Sequence, residues 1–383
     1  MKERKGLFWA LCQNELEKLW AHRGRTLLIA FLVIVLGGTF LVYQSQQASV
    51  SALHQAVAVQ KSQIGQLRRQ VRNASGPTKR ALTSQLHQEQ QSLQQMEQQT
   101  NVVHVRPQVA ALKAGLKTTP VALRGQMMET LATDQYLASH GITAFNPQAE
   151  TGWRMVGQVF GSTALLVFAL LAVGISGDRI SSEMEGGTWG ILLLHAPQRL
   201  HVYLAKLLAS LMVMWGFMTA AAIGFFAAGS AVLGAGSAIM PHVVGLRLAV
   251  TPGSVSPQLR VPVQVFHILP QWSYDLAALG LAMLAMGSLV AIAVALSMLT
   301  RSTVFSLIVG AVLVLSMVLA HLAGPSALAD PALHLPLIED WTGTLAMQYD
   351  LIGMTLRNGL AVVLAWTLVA MGSSLWMVRR LDV

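Results

Sequence analysis

Six stretches of this chain run long enough to cross a bilayer without a single Asp, Glu, Lys or Arg: Leu27 to Tyr43, Val156 to Ile175, Leu207 to Leu233, Leu276 to Leu299, Thr303 to Leu322 and Leu360 to Val378. Each comes near the roughly 20 apolar residues that a helix needs to span hydrocarbon. One charge at mid-bilayer costs about 2.5 to 3.5 kcal/mol on insertion scales, so its exclusion from all six runs is what membrane insertion demands. Composition agrees, because a soluble domain of 383 residues needs more charged surface than 11% charged against 54% hydrophobic residues can supply. The predicted fold class is an all-α polytopic membrane protein with six transmembrane helices.

Lysine and arginine set the orientation. Lys2, Arg4, Lys5, Lys18, Arg23 and Arg25 precede the first run, Arg301 separates the fourth from the fifth, and Arg379 and Arg380 follow the sixth. Six crossings place all of these on one side, which the positive-inside rule makes cytoplasmic, together with both termini. The formal charge of +9 is thereby accounted for without nucleic acid. No small-x-small cleavage pattern follows Tyr43, so the first run reads as a retained span of a multi-pass protein in a prokaryotic cell membrane. The lone Cys12 excludes an intramolecular disulfide and a cysteine-based metal cluster.

Four segments follow. Residues 1–26 form a cytoplasmic stretch in which Phe8, Trp9, Leu11, Leu16, Leu19 and Trp20 alternate with Lys5, Asn14, Glu15, Lys18 and Arg23; this predicts an N-terminal helix lying in the headgroup region. Residues 27–43 are the first span. Residues 44–155 are an extracytoplasmic insertion with a heptad signal: Leu53, Val57, Gln60, Ile64, Leu67 and Val71, then a break at Asn73, Ser75, Gly76 and Pro77, then Leu82, Leu86, Glu89, Leu93 and Met96. Two such arms make an antiparallel coiled-coil hairpin standing roughly 40 Å above the membrane at about 1.5 Å per residue. It reads as a stalk or a contact for an extracytoplasmic partner. Val121 to His140 adds one more helix stopped by Gly141. Residues 156–383 hold spans two to six, with an extended loop over Ala235 to Tyr274 and short helices within Gly324 to Asn358.

The most informative stretch, 177–206, joins spans two and three on the cytoplasmic side. A charged short helix, the Gly186-Gly187 break, an apolar short helix and the Pro197 stop make a rigid elbow ahead of Arg199 and Lys206. In order, spacing and place, Ile180, Ser181, Glu183, Gly187, Thr188, Leu192, Leu193, Pro197, Arg199 and Lys206 resemble the corresponding loop of ABC-2-type ABC transporter permeases. That resemblance implies a coupling helix docked on a separate ABC ATPase. Glu183 and Glu185 would pair with the ATPase, Gly187, Thr188, Pro197 and Arg199 would belong to the same coupling element, and Arg199 and Lys206 would anchor the elbow at the phospholipid boundary. Apart from the resemblance, Gly186 and Gly187 remove side chains where the chain reverses. It implies a second permease copy or homologue and an export path between the two.

No Gly-x-x-x-x-Gly-Lys-Ser/Thr phosphate loop occurs, so ATP and Mg are expected on the partner, and no cofactor or catalytic residue is expected in this chain. No His-Glu-x-x-His motif occurs either. Two small-residue strips, Gly157 with Gly161 and Ala220 with Gly224 and Ala228, are candidates for close helix packing or a dimer seam. Gln158, Ser162, Thr163, Ser288 and Ser297 are the polar candidates within spans, and His321 is a candidate headgroup contact. Two classes of function fit this pattern: an exporter permease, and a membrane sensor or mechanotransmission subunit that recruits an ATPase without moving a solute.

Overall fold

A computed structural model of the chain describes residues 2–73, 75–100, 103–116, 121–146, 149–161, 164–195, 199–250, 260–263, 266–319, 328–349, 351 and 353–380. Helix α1 runs unbroken from Lys2–Asn73, about 110 Å at 1.5 Å per residue. No proline interrupts it. Residues 2–26, expected within a separate interfacial helix over 1–26, are therefore continuous with the apolar part of α1. The reason is local: Arg25-Thr26 offers no helix stop, and Glu15 turns into the protein while Gln13, Asn14, Glu17 and Arg25 stay exposed.

Helix α2, Gly76–Thr100, runs back along α1 after a turn in which Gly76 takes φ +63. Gln60 of α1 donates to Glu89 and, at 3.1 Å, to Ser92 of α2. Then come β1 (Val103–His104), α3 (Val105–Gly115), α4 (Val121–Ser139) and β2 (Ala144–Phe145), which pairs with β1. The second apolar run is broken into α5 (Gly152–Phe160) and α6 (Leu165–Ser176). Two short helices, α7 (Ser181–Glu185) and α8 (Thr188–His195), lead to α9 (Arg199–Leu233). Strands β3 (Pro241–Val244), β4 (Arg247–Val250), β5 (Arg260–Val263) and β6 (His267–Pro270) form antiparallel pairs β3 with β6 and β4 with β5. The remaining helices are α10 (Gln271–Thr300), α11 (Thr303–Leu319), α12 (Leu337–Thr342), α13 (Thr344–Tyr349) and α14 (Leu356–Arg380).

The fold is mostly helical, with short strands where Pro, Val and Arg replace helix formers. Five helical stretches are long and apolar enough to cross a membrane: Phe8–Asn73, Leu165–Glu185, Arg199–Leu233, Gln271–Thr300 and Leu356–Arg380. The fifth apolar run, in α11, is a shorter apolar helix among the described residues. It is set off from α10 by Arg301, which adopts φ 53. His321, Ser162, Thr163 and Pro197 lie outside the described residues.

Helix α10 packs through small residues. Ala278, Ala282, Ala285, Ala291, Ala293 and Ala295 let α10 lie close against α5, α6, α9 and α14. Leu28, Val33, Leu36 and Leu41 of α1, Phe305 and Val312 of α11, and Leu368 and Val369 of α14 stay exposed, as a hydrocarbon-facing belt does. Both glycine strips are consumed within the chain. A Cβ on Gly157 would sit 2.7 Å from Asp275 Oδ1 and from the Tyr274 ring; one on Gly224 would sit 3.1 Å from Phe31 and Val35; one on Gly38 would sit 2.7 Å from Phe225 Cε1. Close approach of α5 to α10 and of α1 to α9 requires them.

On the side away from the basic ends, α4 packs on β3, β5 and β6, and α12 packs on α10, α14 and β3. Gly245 N donates to Trp341 O at 2.6 Å. The core of this cap is an ion pair: His334 Nδ1 lies 2.7 Å from Asp340 Oδ2, with both side chains shut off from solvent. Burial works against a charged His334, but its hydrogen bond to Asp340 and that carboxylate's charge hold the imidazole above its ordinary range. Burial also raises Asp340, although His334 opposes it. Glu339 is pushed up to about 7 by burial and by the charge of Asp340. His242, stacked on Tyr274 with ring centroids 3.6 Å apart, is pulled down to about 4 by burial and by Arg154. Above the range where His242 titrates, the raised groups leave the folded cap holding more protons than the unfolded chain, so stability falls as pH rises. Amide exchange across 328–349 should therefore quicken between pH of about 6.5 and 8.5, and Glu339→Gln should flatten that dependence; a pH-independent opening free energy would contradict this account.

Candidate functional site

The elbow 177–206 is built by one helix stopping and another reaching across. Gly177 N closes α6 on Val173 O at 2.7 Å, and Ser306 of α11 donates its hydroxyl to Gly177 O. Helix α7 is too short to stabilise itself, so its free N–H groups need an outside partner. Ser297 of α10 provides it: its Oγ accepts from Ile180 N at 3.1 Å and Ser181 N at 2.9 Å, and lies 3.0 Å from Ser181 Oγ. Ser297 is thus a cap for α7. Ser288 pins α10 to α14, donating to Val363 O at 3.1 Å and accepting from Thr367 at 2.6 Å.

Behind the elbow lies a group of charges. Lys206, at 1% exposure, donates to Glu15 Oε2 at 3.1 Å and to Glu183 Oε1 at 2.6 Å. Glu15 also accepts from Arg179 at 3.0 Å and Lys18 at 3.2 Å. Lys18 stands 3.9 Å from Glu183, and Arg23 pairs with Asp178 and donates to the end of α6 at Gly174 O. The charges join α1, the start of α7 and α9. An ammonium as buried as Lys206 costs several kcal/mol to desolvate, and carboxylates on two sides offset that only when all are in place.

The predicted site residues divide accordingly. Glu183 faces inward onto Lys206, and its Oε2 is shielded without a hydrogen-bond partner. Its expected pairing with an ATPase gives way to a pairing within the chain. Lys206 is buried, turned by α9 toward Glu15. Glu185 is exposed and accepts from Thr303 N at 2.9 Å, capping α11. Thr188 donates to Glu183 O at 3.3 Å and is exposed. Gly187 adopts φ +68 and faces open space, so its role is the left-handed turn itself. Arg199 begins α9 and is half-buried. Glu185, Gly186, Gly187 and Thr188, followed by Ile191 at 59% exposure, form a bare crest. Gln158, on the other side of the molecule, donates to Glu150 at 2.9 Å and takes no part.

Glu15, Arg179, Arg23 and Asp178 are the members that reading by motif overlooked. Their only signal is polarity beside an apolar run, where Glu15 is one of three acids in a basic segment. Among the described residues no group of His, Cys, Asp and Glu has the arrangement of a metal site. No family model, curated protein or solved structure matches this chain.

Replacing Glu15 by Gln leaves Lys206 with one carboxylate and Arg179 without its nearest one. Loss of about 3 kcal/mol is expected from breaking such a buried arrangement, read as a lower unfolding temperature in detergent. Lys18→Gln, which removes the exposed member, should cost under about 1 kcal/mol; equal losses for the two variants would show that burial is not what makes Glu15 matter.

Proposed function

We propose that the chain is the membrane-spanning permease subunit of an ATP-driven ABC exporter, crossing the cell membrane six times with both termini in the cytoplasm. Two copies, or one copy with a homologue, enclose the path, and a separate ABC ATPase carries ATP and Mg. In this reading α5 and α6 together make the second crossing and α11 the fifth. The α1 and α2 pair is the extracytoplasmic stalk.

One observation carries the proposal. The stretch with the ABC-2 pattern is an exposed crest braced from behind by buried ion pairs. A docking element has to be accessible and stiff together, since a push on a soft loop is absorbed where it is applied. The crest of Glu185, Gly186, Gly187, Thr188 and Ile191 is open to a partner. Behind it, Glu183 and Lys206 lead into α9, and Glu15 and Arg179 lead into α1. Force on the crest thus reaches two long helices directly. Glu185, rather than Glu183, is the acid available to a basic groove on the ATPase.

Affinity-tagged chain purified from its native membrane should bring down a soluble ATPase containing a phosphate loop, and vesicles holding the complex should move an amphipathic solute when ATP is supplied. Gly187→Val strains the turn by about 1 to 3 kcal/mol while leaving the ion pairs intact. It should leave the complex assembled but lower ATP-dependent transport at least tenfold, a loss of about 1.4 kcal/mol in coupling. Recovery of no ATPase in several detergents would overturn the proposal. ATP hydrolysis that responds to the outer stalk with no solute movement would move it to a mechanotransmission subunit, a reading favoured by the unbroken α1.

A further inference from the structure

The tip of the α1 and α2 pair carries charge of one sign only. No Asp or Glu occurs anywhere between Glu17 and Glu89, while Arg68, Arg69, Arg72, Lys79 and Arg80 cluster on both sides of the turn at Asn73 to Gly76. Arg68 and Arg72 are one helical turn apart at the end of α1 and Arg69 adjoins them; Lys79 stands in the first turn of α2. All four are exposed, and among the described residues none has a carboxylate partner.

Helix stability does not account for this arrangement. Cations in the last turn of α1 complement its C-terminal end, but Lys79 and Arg80 in the first turn of α2 oppose that helix's own dipole. Like charges brought together across a tight turn repel one another as well. A soluble stalk whose only need is solvation gains more from mixed charge.

We infer that this tip is a contact surface for a polyanionic polymer on the outer side of the membrane, one bearing repeated phosphate or carboxylate groups. A folded protein partner fits less well. Protein interfaces centre on desolvated aromatic or apolar anchors, and no Phe, Trp or Tyr occurs between Tyr43 and Tyr136. The apolar residues near the tip are spent between the helices, with Ile64 buried and Leu67 and Val71 half-buried. What remains outward is guanidinium, ammonium and the amides of Gln66 and Gln70. Such a surface holds a flexible chain of anions by charge and hydrogen bonding, with displaced counterions as the driving term. The contact is separate from export: it requires the tip to be exposed and nothing of the elbow.

The test uses full-length chain in nanodiscs of zwitterionic lipid, with fluorescein-labelled inorganic polyphosphate and labelled poly-L-glutamate as probes in anisotropy titrations. Binding of either polymer is expected, weakening on the order of a hundredfold between about 50 and 200 mM salt for four charge contacts. The combined variant R68Q/R69Q/R72Q/K79Q should lose that binding and its salt dependence, while unfolding at the wild-type temperature. R106Q/K113Q, which removes two exposed cations from α3, should bind as wild type. The inference is overturned if neither polymer binds, if the combined variant binds like wild type, if the α3 variant loses as much as the tip variant, or if a folded acidic protein is bound as tightly as the polymers. Preference for one polymer over the other names the anionic group.

Discussion

A lysine ammonium shut away from water has to keep carboxylates beside it, and Lys206 keeps two, one from α1 and one from the elbow. Because neither carboxylate can leave without stranding that charge, three segments far apart in sequence are held in one arrangement. The N-terminal part of α1 is drawn in line with its apolar part. Helix α7 is held against α9 by the Glu183–Lys206 pair, and the crest between α7 and α8 is left on the outside. The apolar belt around the molecule then needs no charge to orient it.

The two ends of the molecule solve the same problem differently. On the basic side, Glu15 and Lys206 are buried with at least two oppositely charged partners each. On the opposite side, burial without enough partners raises the proton affinity of Glu339 and Asp340, and one histidine satisfies one carboxylate oxygen of Asp340 while the other has none. The first arrangement is stiff because losing one partner strands a buried charge. The second is adjustable because protonation relieves it.

Sequence reading succeeded where one residue property decides the outcome. Charge-free runs of sufficient length locate the apolar helices, and the elbow announces its two short helices through Gly186-Gly187. It failed where partners come from different helices. Nothing local to Glu183 or Lys206 says that they meet, and reading each by its own neighbourhood turned one toward a partner protein and the other toward lipid. Ser297 stood out only as a polar candidate within a span, whereas a short helix elsewhere uses its oxygen. The continuity of α1 was misread for a related reason: alternating Trp and Lys suits a headgroup boundary equally well whether a helix lies flat there or passes through it.

That continuity has a mechanical side. Gly38 lets Phe225 of α9 press against the α1 backbone, a contact too close for any larger residue. It divides the helix into an inner arm of about 35 Å down to Glu15 and an outer arm of about 50 Å up to Asn73, at 1.5 Å per residue. A rod with a fulcrum between unequal arms is a lever. A sideways shift of about 2 Å at the inner end would appear at the tip as about 3 Å in the opposite direction. With no hinge in between, whatever steadies the tip also sets how hard the inner end is to move.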